Sequence, residues 1–182
     1  QQCAIAESEK ERIKGTGMQL AGRGFRVLAV ATSTHDPAHL PDSQHDLALD
    51  FTGLVAFYDP PKKNMNAVLQ HFYAAGIQVK IITGDYAETA IAIATQINFA
   101  MGSSPLTGEE VMALANNELQ ERVKQTNLFA RMFPDAKLRV IEALKANGEV
   151  VAMTGDGVND GPALKAAHIG IAMGHRGSEL AK

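Results

Sequence analysis

The heptapeptide TGDGVND spans Thr154 to Asp160 and follows a short apolar run, 149–153, that predicts a buried strand. Its two glycines allow the backbone to turn tightly and to approach a ligand closely. Its two carboxylates, Asp156 and Asp160, lie four residues apart at a strand end, which suits a hard, oxygen-ligated cation such as Mg²⁺. A turn that only caps the next helix is the alternative interpretation. For the complete heptapeptide we favour the functional interpretation.

A shorter version of this pattern, TGD at Thr83 to Asp85, follows a second predicted strand, 77–82, and precedes a helix. The Thr83 hydroxyl and the backbone N–H groups at a helix start suit a phosphate, although a plain helix cap is the alternative. Lys137 lies one turn into a helix predicted to begin at Pro134, and its ammonium can neutralise phosphate charge. A solvated surface lysine is the alternative there. Because ligands bind at the carboxyl ends of strands in open parallel sheets, we expect these groups at one edge.

Strands alternate with helices through most of the chain, which predicts β-α-β units and a parallel sheet covered on both faces. Predicted strands are 25–31, 51–58, 77–82, 128–130, 149–153 and 169–173, and predicted helices include 4–22, 134–147 and 159–167. Further helices are predicted between Asn64 and Gly76, around 87–94, and after a capping-box spacing at Thr107. Residues 32–48 are the most loop-like stretch and the candidate domain boundary.

The composition is that of a globular protein, with 182 residues, 46% hydrophobic and 20% charged. A net charge of −3 argues against a nucleic-acid partner. The single cysteine, Cys3, excludes an intrachain disulfide and a cysteine-based zinc site, which favours a cytosolic setting. No apolar run approaches the roughly 18–20 residues that cross a bilayer, so we expect this chain itself to be soluble.

Four motifs resemble those of P-type ATPases and occur in that family's order. They are GLVAFYDPPK at 53–62, IITGD at 81–85 with Thr89-Ala90, ARMFPDAK at 130–137, and TGDGVNDGPALKAAHIGIAMG at 154–174. In addition, GFRVLA at 24–29 resembles the last strand of that family's nucleotide-binding domain. The resemblance therefore covers nearly the whole chain, and the 154–174 motif is very specific.

The resemblance implies an α/β fold, a three-layer, Rossmann-like, haloacid-dehalogenase-like core. It implies that 1–48 are the tail of the nucleotide-binding domain with a linker, and that 49–182 are the C-terminal part of the phosphorylation domain. In such pumps an aspartate is phosphorylated by Mg-ATP and then dephosphorylated, which drives ion movement through a membrane domain. We therefore expect Mg²⁺ and ATP as cofactors, the remaining nucleotide-binding, actuator and transmembrane domains as partners, and a cytoplasmic location. Leu164-Lys165 resembles calcium and related cation pumps more than heavy-metal pumps.

The resemblance also implies roles for individual residues, matched by their positions in the motifs. The resemblance implies that Asp156 and Asp160 ligate Mg²⁺, with Asn159 supporting the phosphoryl group and its metal. It implies that Thr83 hydrogen-bonds the phosphoryl oxygens and that Lys137 offsets their charge.

Nucleotide and phosphate contacts are implied for a second group of residues. Arg26 would reach the nucleotide phosphates, and Gly84 belongs to the phosphate-binding turn. Asp85 and Asp59 would help to hold the nucleotide or the domain geometry.

The chain also departs from the family. No Asp is followed by Lys-Thr-Gly-Thr, the family's nucleophile motif, whose strand is expected at the sheet centre. We therefore expect no ATP turnover by this chain alone. We also expect strands 77–82 and 150–153 to lack a shared neighbour unless the N-terminal region, an outside segment or self-association fills the gap. Gly161 and His168 replace residues that are usually Ala and Asp.

Two other functions stay open from the sequence. One is a soluble phosphatase of the same superfamily, which would need an Asp-x-Asp nucleophile upstream. The other is a non-catalytic module that binds Mg²⁺ or nucleotide and regulates a pump.

Overall fold

The structure is a computed structural model, and it describes residue 3 and residues 5–34, 41–155 and 160–173. Asp156 and Asn159 therefore lie outside the described residues. Contacts group the chain into two units, Gln1–Pro60 and Pro61–Lys182. This grouping places the strand at 50–57 in the first unit, and the family-based division at residue 48 stays a prediction.

The first unit contains one helix and an antiparallel strand pair. Helix α1 spans Glu7–Gly22, β1 spans Arg26–Thr32 and β2 spans Asp50–Phe57, with a short 3-10 turn at Gln44–Asp46. Arg26 pairs with Phe57, and the register shifts between Val30 and Ala31. Both predicted strands are confirmed to within one residue at each end. They pair in a hairpin-like ladder and not in a parallel sheet.

The second unit contains the parallel strands and their covering helices. Its elements are α2 (Met65–Ala74), β3 (Ile81–Ile82), α3 (Ala87–Gln96), β4 (Leu106–Thr107), α4 (Gly108–Ala113), α5 (Asn116–Gln125), β5 (Leu128–Ala130), α6 (Pro134–Ala146), β6 (Ala152–Gly155), α7 (Gly161–Ala166) and β7 (Ile169–Ala172). One parallel ladder has the order β3-β5-β4, and a second joins β6 to β7. The predicted α/β class with parallel strands is confirmed.

Strand β5 lies between two hydrophobic clusters, which gives the layered arrangement. Its side chains alternate between the two faces. Phe129 packs with residues of α4 to α7, whereas Leu128 and Ala130 pack with residues of α2 and α3. All three side chains are fully buried. Helices therefore cover both faces of this ladder, as the sequence predicts.

Several predicted boundaries were wrong, and strand pairing explains two of them. The predicted strand 77–82 shortens to Ile81–Ile82 because, in the part of the chain that the structure describes, the ladder covers these two residues, paired with Leu128 and Phe129. The predicted strand 149–153 moves to 152–155, where it pairs with β7. Within the described part of the chain no ladder joins β3 to β6, and each pairs along one edge.

Lys80, just before β3, makes a long-range contact. Its ammonium donates to the carbonyls of Val123 and Thr126, at 2.7 and 2.8 Å, and to Oδ1 of Asn127 at 2.8 Å. Burial of this ammonium lowers the pKa of Lys80. The contact ties the approach to β3 to the end of α5.

The region after Thr107, predicted as one helical stretch, contains two helices, α4 and α5. The short strand β4 that precedes them was not predicted. Thr107 and Glu110 form the predicted capping box. The Arg139 guanidinium binds the carbonyls of Val111, Met112 and Leu114 at 2.5–2.8 Å, which satisfies the end of α4. This contact crosses from α6, so local sequence does not reveal the break.

Candidate functional site

The turn after β3 is fastened to the segment after β5. The Met132 N–H donates to the Thr83 carbonyl at 2.9 Å, and the Arg131 N–H donates to the Asp85 carbonyl at 2.8 Å. A Cβ on Gly108, where α4 begins after β4, would lie 2.6 Å from the Arg131 carbonyl oxygen. The carboxyl ends of β3, β5 and β4 therefore meet at one edge, and in open parallel sheets ligands bind at such an edge.

Thr83, Gly84 and Asp85 form a turn that is closed by their own polar groups. The Thr83 Oγ1 accepts from the Asp85 N–H at 3.1 Å and lies 3.4 Å from Asp85 Oδ2. Tyr86, and neither Thr83 nor Asp85, occupies the N-cap position of α3, and it makes no side-chain cap bond. The TGD turn therefore lies directly before the N-cap residue of α3.

Lys137 and Asp160 meet in a buried ion pair. Lys137 Nζ lies 2.5 Å from Asp160 Oδ1, and the two side chains are 14% and 13% exposed. Lys137 comes from the first turn of α6, and Asp160 precedes α7 without capping it through its side chain. The alternative of a solvated surface lysine is excluded by this burial.

Gly155, the last residue of β6, makes room for this pair. A Cβ at Gly155 would lie 2.8 Å from both Cβ and Oδ2 of Asp160. The chain therefore needs a glycine where the Asp160 carboxylate crosses the end of β6.

The pair also bears on whether a cation fits this edge. One Asp160 carboxylate oxygen is occupied by Lys137, and the second oxygen is a hard ligand of the type that Mg²⁺ prefers. The described residues contain no cluster of three or more His, Cys, Asp or Glu side chains able to hold a metal. Asp160 alone thus fits a partial site, and the other carboxylate of the motif, Asp156, lies outside the described residues.

The remaining predicted residues lie in the first unit. Arg26 begins β1 and Asp59 follows β2, and both are exposed. Their expected nucleotide contacts stay predictions. The described structure thus brings Lys137 to Asp160 and forms the turn of Thr83 to Asp85.

Arg131 is a residue at this edge to which the sequence assigned no role. Its guanidinium lies over the Tyr86 ring, 5.2 Å from the ring centroid, and 4.0 Å from Glu109 Oε1. Its φ of +51° is uncommon for a residue with a side chain. The motif ARMFPDAK contained the residue, but nothing local distinguished it from other surface cations.

The chain belongs to the haloacid dehalogenase-like hydrolase family, whose model matches residues 18–168. It is 45% identical over 170 residues to "Probable cation-transporting ATPase F" of Mycobacterium bovis, covering 90% of this chain. It is 37% identical to "Calcium-transporting ATPase 1" of Saccharomyces cerevisiae over 98% of this chain. It is 37% identical to "Calcium-transporting ATPase type 2C member 1" of Bos taurus over the whole chain.

These relatives confirm the resemblance to cation-transporting ATPases. The chain spans about a fifth of their length, 18–19% in each case. In the part of the chain that the structure describes, no helix is both long and apolar enough to cross a membrane.

Proposed function

We propose that this chain is a cytoplasmic piece of an ATP-driven cation pump of the calcium type or a related type. In the parent protein, ATP hydrolysis through an aspartyl-phosphate would drive cation transport. The buried Lys137–Asp160 pair at a strand end is the observation that carries this proposal. It is supported by identities of 37–45% to cation-transporting ATPases.

The proposed role of each residue follows from the chemistry of its side chain. Asp156 and Asp160 would hold Mg²⁺, with Asn159 beside them, and the ion would neutralise phosphate charge when bound. Lys137 would supply a second positive charge, held in place by Asp160. The Thr83 hydroxyl would bind a phosphoryl oxygen.

The nucleotide side of the site is proposed on motif position. Arg26, Gly84, Asp85 and Asp59 would contact the nucleotide or its phosphates. In this proposal residues 1–48 belong to the nucleotide-binding domain and residues 49–182 to the phosphorylation domain. The rest of that nucleotide-binding domain, the actuator and the membrane domain would be the partners.

The isolated chain is proposed to be inactive because its sequence contains no Asp followed by Lys-Thr-Gly-Thr. The edges of β3 and β6 would pair with a further strand or with a second copy of the chain. A non-catalytic Mg²⁺- or nucleotide-binding module is the second candidate. The names of the relatives favour the pump over a soluble phosphatase.

A magnesium titration of thermal stability tests the proposed metal site. A ligand that binds only the folded state stabilises it by RT ln(1 + [L]/Kd), about 2.7 kcal/mol at 100-fold excess over Kd. We expect the melting temperature of the chain to rise through a millimolar series. Asp156→Asn should abolish the rise, whereas the matched control Asp42→Asn, on an exposed loop carboxylate, should keep it. A flat series for the unaltered chain would contradict a competent magnesium site.

An ATPase assay tests the proposal that the isolated chain is inactive. The isolated chain should release no phosphate from Mg-ATP above the buffer rate. Phosphate release that Asp160→Asn removes would show that the isolated chain turns over ATP at this site, contrary to the proposal.

A further inference from the structure

His168 fastens the start of β6 through both its backbone and its side chain. Its N–H donates to the Val151 carbonyl at 2.9 Å, and its Nδ1 accepts from the Val151 N–H at 3.1 Å. The Ile169 N–H donates to the same carbonyl at 3.1 Å. Both backbone polar groups of Val151 are thus bound by His168, which directly precedes β7, and its carbonyl is also bound by Ile169.

The side-chain bond depends on the protonation state of one ring nitrogen. Nδ1 accepts a hydrogen bond only while it carries no proton, and in the imidazolium both ring nitrogens are donors. Protonation would therefore set two N–H groups against each other. Val151 is 8% exposed and belongs to the larger hydrophobic cluster, so its N–H would lose a partner in a buried setting.

Among the described residues, the charged groups on the adjoining elements make no hydrogen bond to His168 or Val151. Lys145 of α6 binds the Ala166 carbonyl through Nζ at 2.6 Å. Glu149, before β6, and Lys165 of α7 are exposed. Lysine and glutamate side chains ordinarily keep their charge between pH 5 and 8, whereas histidine ordinarily changes its charge there.

The His168–Val151 contact lies at the opposite end of β6 from the candidate site. Strand β6 runs from Ala152 to Gly155, and Gly155 packs against Asp160, which pairs with Lys137. A loosened start of β6 therefore affects the strand that positions this ion pair.

We propose that His168 is a proton-sensitive clamp that holds β6 against β7 at neutral pH and releases the start of β6 on acidification. The inference rests on the contacts of His168 and does not depend on the proposed pump function. It also explains how the chain accommodates histidine at a position where the resembling family usually has aspartate. The imidazole supplies a hydrogen-bond acceptor there without a carboxylate.

Amide hydrogen exchange of the 182-residue chain tests the clamp directly. We expect the protection factor of the Val151 amide, corrected for intrinsic exchange, to fall about fivefold or more from pH 7.5 to pH 5.5, as loss of one hydrogen bond predicts. His168→Asn keeps an acceptor that does not titrate and should remove this pH dependence. His168→Leu should lower protection equally at both pH values. The matched control His71→Asn, on an exposed residue of α2, should behave like the unaltered chain.

Two outcomes would overturn the proposal. One is a Val151 protection factor that does not change with pH in the unaltered chain. The other is a fall that persists in His168→Asn. If the variants do not fold, the ¹⁵N chemical shifts of His168 in the unaltered chain still decide. A bare Nδ1 at pH 7.5 supports the clamp, and a protonated Nδ1 there refutes it.

Discussion

Removing one partner of the Lys137–Asp160 pair should destabilise the fold far more than its single hydrogen bond suggests. The two side chains are only 14% and 13% exposed, so Lys137→Met leaves the Asp160 carboxylate, and Asp160→Asn leaves the Lys137 ammonium, without its countercharge in a part-buried setting. Breaking a buried pair in this way costs about 3–5 kcal/mol. Because some exposure remains, we expect about 3 kcal/mol for Lys137→Met and about 2 kcal/mol for Asp160→Asn.

The double variant separates the interaction from the separate effects of the two residues. Lys137→Met with Asp160→Asn leaves no unpaired charge, so we expect a loss of about 3 kcal/mol and not the sum of about 5 kcal/mol. The free energy of unfolding at pH 7, from urea titration of all four proteins, gives the coupling energy as this difference.

The Lys124–Glu121 pair of α5 is a matched control. Its Nζ–Oε1 distance is 2.6 Å, close to that of the buried pair, but its side chains are 48% and 68% exposed. Coupling there should stay below about 0.5 kcal/mol. Effects of the Lys137 and Asp160 substitutions that add to within about 0.5 kcal/mol would refute the interpretation of the pair as a buried, mutually dependent unit.

Two further outcomes follow from local geometry. Gly155→Ala should lower the free energy of unfolding by about 1–3 kcal/mol in urea titration, because the new Cβ overlaps the Asp160 carboxylate. Gly161→Ala should raise it by up to about 1 kcal/mol, because among the described residues no atom beyond its chain neighbours and its own helix backbone lies within 4 Å of the new Cβ. Hydrogen bonds from Thr107 lower the pKa of Glu110 below 4.5, so its stabilising contribution is present above that value and is lost as the pH falls below it. Glu110→Gln should accordingly lose less free energy of unfolding between about pH 5 and pH 3 than the unaltered chain, and an equal loss would contradict this assignment.

Local signals in the sequence were enough to place the longer helices. Gly76 and Gly148 follow α2 and α6 with φ of +73° and +81°, so the predicted helix ends coincide with residues that reach this conformation without strain. The capping box at Thr107 likewise gives the start of α4 from spacing alone. These devices act within one turn of the chain, which is why they are readable in a single sequence.

Strand lengths and the α4–α5 break depend on distant partners and were predicted poorly. Ile77 and Val79 have the apolar character of a strand, but within the described residues 77–80 join no ladder, since the pairing of β3 with β5 covers Ile81 and Ile82. The end of α4 is satisfied by Arg139, 25 residues beyond Leu114. Neither the extent of the β3–β5 pairing nor the contact of Arg139 with α4 leaves a pattern in the local sequence.

The candidate site shows the same difference between features set by local sequence and features set by distant contacts. The TGD turn at Thr83 was predictable because its residue types specify a turn at a strand end. The burial of Lys137 was not, because a single lysine is usually solvated and its partner, Asp160, lies 23 residues further on. Motif order suggested that the two belong together, and packing of α6 against α7 brings them into contact.

Helix α6 connects the two parallel ladders at this edge. It begins two residues after Met132, whose N–H is bound to Thr83 in the turn after β3. One turn later it presents Lys137 to Asp160, which packs on the end of β6. Because no ladder joins β3 to β6 within the described residues, the helical layer provides this connection and not the sheet. A change that weakens α6 should therefore loosen Asp160 from the Thr83 turn even while both ladders stay paired.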